Sequence, residues 1–194
     1  MSYVSFVISV IKDFKTKHSM ENIQLEKQAK LSEHYTLGEM TKTSTGMMNI
    51  PSRVSIENMK RVCGWLEALR CRYNQRYVSP SSDHPAHPGT PPNLGGEKDT
   101  EEPIIISSGY RSPEVNRKVG GSATSNHLTG CAVDIRVYGI EQAMRYAVIL
   151  MDYADETRQD YDELLIERNR SGRYWVHFAV RPKDNRRKTR FIDC

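Results

Sequence analysis

The sequence has few of the features that identify several protein classes. It holds four cysteines, Cys63, Cys71, Cys131 and Cys194, with no CxxC pair and no zinc-ribbon spacing. Cys63 and Cys71 fall on one helical stretch, roughly 12 Å apart at the helical rise. That is too far for a bridge, so reduced thiols are expected and a disulfide framework is not. No membrane span is expected either. The apolar stretch Tyr3 to Ile11 has nine residues, against the ~20 that a spanning helix needs. Neither a basic start nor a small-residue cleavage site accompanies it; an early strand or helix, or a start placed too far upstream, is the expectation there. There is no internal repeat. A groove-reading motif and an aromatic RNA-binding signature are both missing, so no nucleic-acid partner is expected.

What is present describes an ordinary globular chain. Its 194 residues, 38% hydrophobic and 27% charged, suit one domain with a sizeable core. The net charge of +4 is a mild basic bias, compatible with an acidic polymer as partner. The excess is local: Arg181 to Arg190 carries six basic residues against Asp184, which reads as a solvated, partly disordered tail. Residues 79–96 hold five of the nine prolines and three glycines, a loop by composition. Its His84 and His87 form an HxxH, but the prolines forbid the helix that would align them on a metal.

Periodicity places the elements. Thr36 and Glu39 fit a capping box for a short helix. Ser55 to about Arg76 reads as a long helix capped by Ser55, with Ile56, Met59, Val62, Cys63, Leu66, Leu69 and Tyr73 recurring at three and four. Pro103 to Ser107 reads as a buried strand. Ser112-Pro113 starts a short helix that Gly120 ends. Residues 131–137 form a strand, and Glu141 to about Asp155 a helix. Residues 162–168 and 173–180 form two strands around the turn Asn169-Arg170-Ser171-Gly172. The order implies an α+β fold: a small, mainly antiparallel sheet flanked by helices, with a cleft on the sheet. The expected organisation is an N-terminal extension over 1–30, a domain over 31–180 with an insertion at about 78–102, and a basic tail over 181–194.

Strand alternation isolates the chemistry. In Cys131-Ala-Val-Asp-Ile-Arg-Val137, Val133, Ile135 and Val137 share one face and Asp134 points the other way. In Tyr174-Trp-Val-His-Phe-Ala-Val180, Val176, Phe178 and Val180 share one face and His177 points the other way. His127 precedes Asp134 in a loop with glycine at each end and can bend back toward it. Two histidines and a carboxylate are a frequent catalytic zinc set that leaves a position for water or substrate. Zinc there acidifies the water and polarises the scissile carbonyl. Cys131 alternates away from Asp134 and is expected in the core.

Ser125-Asn-His127-Leu-Thr-Gly130-Cys-Ala132-Val-Asp134 resembles the SxHxxGxAxD signature of the D-alanyl-D-alanine carboxypeptidase family of zinc metallopeptidases, which includes dipeptidases and phage wall endopeptidases. Trp175-Val-His177 resembles its second histidine block, Ser108-Gly-Tyr-Arg111-Ser-Pro-Glu-Val-Asn116 its SGYRSxxxN segment, and Tyr35-Thr-Leu-Gly-Glu39-Met the opening of one branch. The resemblance spans roughly residues 31–180. It implies one Zn2+ held by His127, Asp134 and His177, and a peptidoglycan peptide as substrate, cut by a carboxypeptidase or an endopeptidase. Such a substrate lies outside the cytoplasm, whether the enzyme is periplasmic, extracellular or of the phage lysis type.

The resemblance also implies that Arg111 faces the substrate, clamping a carboxylate or polarising the carbonyl; otherwise it holds the loop by a salt bridge. Ser125 and Asn126 position the loop or bond substrate backbone, Trp175 borders the substrate, and Tyr110 is core. The chain departs from the family pattern at Tyr174, where several branches place an acid. Glu167 is the substitute expected as general base, provided that the hairpin loop has five residues, so that Glu167 pairs near Trp175 and shares a face with His177. Asp162 and Glu163 are further candidates. Without a base, the same fold would be a non-catalytic zinc-binding interaction module, as in the hedgehog signalling domain.

Overall fold

The structure, a computed structural model, describes residues 27–78 and 101–193. Most of the N-terminal extension, the Pro-rich stretch with His84 and His87, and Cys194 lie outside them. Helix α1 (Leu37–Met40) is capped by the expected box: Thr36 Oγ1 accepts from Glu39 N, and the Glu39 carboxylate accepts from Thr36 N. Helix α2 (Arg53–Tyr73) runs into a π-helical turn over Asn74–Val78. Its cap is Ser52 rather than the expected Ser55; Ser52 Oγ accepts from Ser55 N at 3.1 Å. The two serines lie within one turn, and only the backbone direction before Arg53 selects between them.

Next come β1 (Ile106–Ser108), α3 (Pro113–Lys118), a 3-10 turn (Asn126–Thr129), β2 (Ala132–Arg136), α4 (Ile140–Thr157), β3 (Glu163–Arg168), β4 (Tyr174–Ala179) and β5 (Lys188–Asp193). The expected strand at 103–107 forms only from Ile106 to Ser108, although Ile104 is buried. The five strands make one sheet in the order β1-β2-β4-β3-β5. Every pairing is antiparallel except β3 with β5. The fold is therefore α+β with a mostly antiparallel sheet, as the element order implies. No helix among the described residues is long and apolar enough to cross a membrane.

The expectation of a solvated basic tail is corrected. Residues 188–193 form β5, in register with β3 from Glu163↔Lys188 to Arg168↔Asp193, so the folded unit runs past residue 180. The basic side chains before and within β5 meet acids far away in sequence. Arg187 pairs with Asp155 and Asp160, Arg186 with Asp162 and Glu163, and Lys188 with Glu163. Charge patterning within a window cannot show partners roughly 25 positions upstream.

One sheet face is the core. Val133, Ile135, Leu164, Ile166, Val176 and Phe178 are buried under α2 and α4. On α2, Met59, Val62, Cys63, Leu66, Leu69 and Tyr73 form the expected stripe. Trp65 joins both layers: its ring lies 5.3 Å from Phe178 and edge-on to Tyr153 at 4.9 Å. Each fully buried aliphatic side chain contributes about 1.5–3 kcal/mol through removal from water. With Val133, Ile135, Leu164, Ile166, Val176 and Phe178 on this face, the alternate positions of the three central strands lie on the other.

Gly109 sits where α1 meets the sheet. A Cβ there would lie 2.3 Å from the Met40 carbonyl oxygen, and backbone cannot yield as a flexible side chain can. Gly109→Ala is therefore expected to destabilise the chain by about 3 kcal/mol. Gly64, exposed on α2 with open space around its Cβ position, gives the opposite sign. Gly64→Ala should stabilise by about 0.5–1 kcal/mol. Denaturant midpoints of the two variants check both signs.

Candidate metal centre

On the face opposite the core, Asp134 of β2 and His177 of β4 are direct cross-strand partners. His127 reaches them from the 3-10 turn. Ser125 caps that turn, its Oγ accepting from His127 N, and Gly130 at φ 73° turns the chain into β2. One donor atom from each of His127, Asp134 and His177 lies within 4.8 Å of the other two, and all three residues are buried. The facing atoms are defined: His127 Nε2 is 3.2 Å and His177 Nδ1 2.9 Å from Asp134 Oδ1. The ring centroids are 5.0 Å apart. Two imidazole nitrogens and one carboxylate oxygen converging in this way can hold a metal ion.

The opposite side of each ring is also engaged. His127 Nδ1 is 2.6 Å from the Gly109 carbonyl oxygen, which as an acceptor places the proton on Nδ1 and directs Nε2 inward. His177 Nε2 is 3.7 Å from Glu163 Oε2, a charge contact rather than a hydrogen bond. Arg111 donates from Nη2 to Asp134 Oδ2 at 2.5 Å and from Nε to Ser108 Oγ at 2.9 Å. Its backbone N–H donates to His127 O at 3.0 Å. Of its two expected arrangements, Arg111 thus adopts the salt bridge here, and its partner is the carboxylate of the cluster itself.

Asn126 donates from Nδ2 to Asp162 Oδ2 at 2.8 Å and to Glu163 Oε2 at 3.2 Å. Ser125 and Asn126 therefore hold the His127 loop in place. Cys131 and Tyr110 are buried, as expected.

The hairpin loop between β3 and β4 has five residues, Asn169 to Arg173, closed by Asn169 N donating to Arg173 O at 3.0 Å. The condition set by the sequence is met. Glu167 pairs with Trp175 and Leu165 with His177, so Glu163, Leu165 and Glu167 all share the His177 face. Asp162, one residue before β3, is fully buried, with Arg181, Arg186 and Asn126 on its oxygens.

Electrostatics separate these acids. Burial raises the Glu167 carboxyl above its ordinary 4.5 and the Asp134 charge raises it further, against the opposing pull of His177. Glu163 is held well below the carboxylate range by its contact with His177, against burial, with help from Lys188. Burial alone would raise Asp134; the two imidazoles beside it outweigh that and hold it far below. Burial alone would lower His177, but the carboxylates of Asp134 and Glu163 raise it from 6.5 to about 9.

The His177 shift has a measurable consequence. With its pKa raised to about 9, the metal-free His177 ring is expected to carry both protons at pH 7, and a metal ion at Nδ1 would displace one of them. Binding of a divalent metal ion at pH 7 is expected to release about one proton from this ring. Apparent affinity should rise by up to about tenfold per pH unit as pH climbs toward 9. Calorimetry in two buffers of different ionisation enthalpy counts the proton.

Sequence reasoning did not single out Ser108 or the Gly109 carbonyl. The latter leaves no side-chain signal, because what Gly109 contributes is backbone.

Residues 96–162 match the model of a family described as Peptidase M15. The match takes in Ser108 to Asn116, His127 and Asp134; Glu163, Glu167 and His177 lie beyond it and join through the sheet. No curated protein matches the chain. The family match and the His/Asp/His cluster together support one family for this chain, the M15 zinc metallopeptidases of the D-alanyl-D-alanine carboxypeptidase type.

Proposed function

We propose that this chain hydrolyses peptide bonds in bacterial cell-wall peptidoglycan, with one zinc ion held by His127, Asp134 and His177. The observation that carries the reading is the convergence of those three donors beside Glu167 on one face of the sheet. The donor set suits the ion, being nitrogen and oxygen ligands that leave a coordination position open. Bound there, zinc supplies Lewis acidity and an acidified water.

The side chains supply the rest. Glu167 accepts the proton of the attacking water and passes it to the leaving amine; burial makes its carboxylate a stronger base than an exposed glutamate. Asp162 and Glu163 are poor bases, since cations already occupy their oxygens. Arg111 holds Asp134 through Nη2, and its Nη1 makes no hydrogen bond among the described residues. That nitrogen is available to donate to a substrate carbonyl or carboxylate. Trp175, between Arg136 and Glu167 in one cross-strand row, offers an apolar wall for the peptide.

The test is a mass-spectrometric assay of defined muropeptides with the zinc-loaded chain. Loss of a terminal D-alanine identifies a carboxypeptidase, and scission within the stem or cross-link an endopeptidase. Bound zinc with every fragment left intact would replace the reading with that of a zinc-binding interaction module.

A further inference from the structure

The His177 ring lies between two carboxylates. Asp134 faces Nδ1, and Glu163 lies behind Nε2. Glu163 does not stand alone. Its Oε1 meets Lys188 Nζ at 2.9 Å and Arg186 Nη2 at 3.1 Å, and its Oε2 meets Asn126 Nδ2 at 3.2 Å. Asn126 immediately precedes His127. One carboxylate thus touches the ring of one candidate ligand, the loop of another, and the segment leading into β5.

We propose that Glu163, anchored by Arg186 and Lys188, is a positioning residue of the metal centre: it orients His177 so that Nδ1 faces the ion. The inference rests on the reading of His177 as a ligand. A carboxylate behind a ligating imidazole fixes the ring's tautomer and angle and makes it a better donor. Glu163 is 15% exposed at its side chain, and a carboxylate so enclosed needs counter-charge to remain ionised. Lys188 and Arg186 provide it. Because β5 pairs with β3 throughout its length, those cations arrive at fixed positions. The basic stretch that composition alone marks as a tail therefore acts on the metal through one intervening carboxylate. The Gly109 carbonyl does the corresponding work for His127.

The full chain is prepared metal-free as wild type, Glu163→Leu, Glu163→Gln and Lys188→Gln. Zn2+ affinity is measured by competition with a chromophoric chelator, ligand geometry by the visible spectrum of the Co2+ form, and metal-free stability by thermal melting. Glu163→Leu is expected to weaken Zn2+ binding by about 10–100-fold and to alter the Co2+ spectrum. Glu163→Gln keeps an oxygen for Nε2–H to meet and should recover most of that loss. Lys188→Gln should show a smaller loss in the same direction. Wild-type affinity in Glu163→Leu overturns the proposal. So does equal loss in the Leu and Gln variants that only tracks their melting temperatures. If Glu163→Leu does not fold, wild-type affinity in Lys188→Gln overturns it. A wild-type chain that binds no Zn2+ removes the metal centre and this inference together, whereas one that binds Zn2+ and cleaves no muropeptide removes the peptidase reading alone.

Discussion

His177→Ala is expected to leave a folded chain that neither retains zinc through gel filtration nor cleaves muropeptide above background. The side chain sits at the centre of its sheet row, opposite Asp134 on one side and Leu165 on the other, so no neighbouring imidazole can replace it. Two donors remain, and Asp134 loses one of the rings that hold it ionised. The metal supplies several kcal/mol of transition-state stabilisation, and losing about 4 kcal/mol is a rate loss of about 10³ or more. Alanine at 177 leaves the core face untouched, since Val176 and Phe178 point the other way. Elemental analysis of the purified variant, beside its circular dichroism, separates loss of metal from loss of fold. An active, zinc-loaded His177→Ala would end the assignment.

Glu167→Gln should behave differently, keeping its zinc while kcat falls by about 10²–10⁴, the usual contribution of a positioned base. The substitution is isosteric, and Glu167 is no member of the three-donor cluster. The pH profile provides a second readout. The carboxylate works only when ionised, so the wild-type rate falls as pH drops through its pKa, and that acid limb should be missing from the glutamine variant. Unchanged turnover in Glu167→Gln would transfer the role elsewhere. Loss of zinc in this variant would show that Glu167 supports the metal rather than the proton.

The parts of the site that were legible in the sequence rest on period-two alternation. Val133 and Ile135 against Asp134, and Val176 and Phe178 against His177, state which side chains face the core before any fold is known, and the sheet puts both outward-facing residues in one row. The Glu167 placement required one further fact, the five-residue loop from Asn169 to Arg173. A two- or four-residue loop would have shifted that register. Fold class followed in the same way, from elements with clear caps such as Thr36 with Glu39.

What was not legible depends on pairs distant in sequence or on backbone. Nothing local to Lys188–Asp193 marks a strand, because Lys188 and the preceding Arg187 find their partners at the start of β3 and on α4. The His127 ring is set by a carbonyl, and every residue has one. Arg111 could be read as facing substrate or bracing the loop, and only the fold brings its Nη2 to Asp134.

β5 also matters for solubility. Among the described residues it pairs with β3 alone, so its outer side is a row of unsatisfied backbone groups, beside an exposed Phe191. Such an edge invites a strand from another molecule, and lysine and arginine along it are a common deterrent. Arg190 is exposed on this strand, while Lys188 turns inward to Glu163. Replacing Arg190 by an apolar residue would therefore remove a charge that discourages two molecules from joining edge to edge.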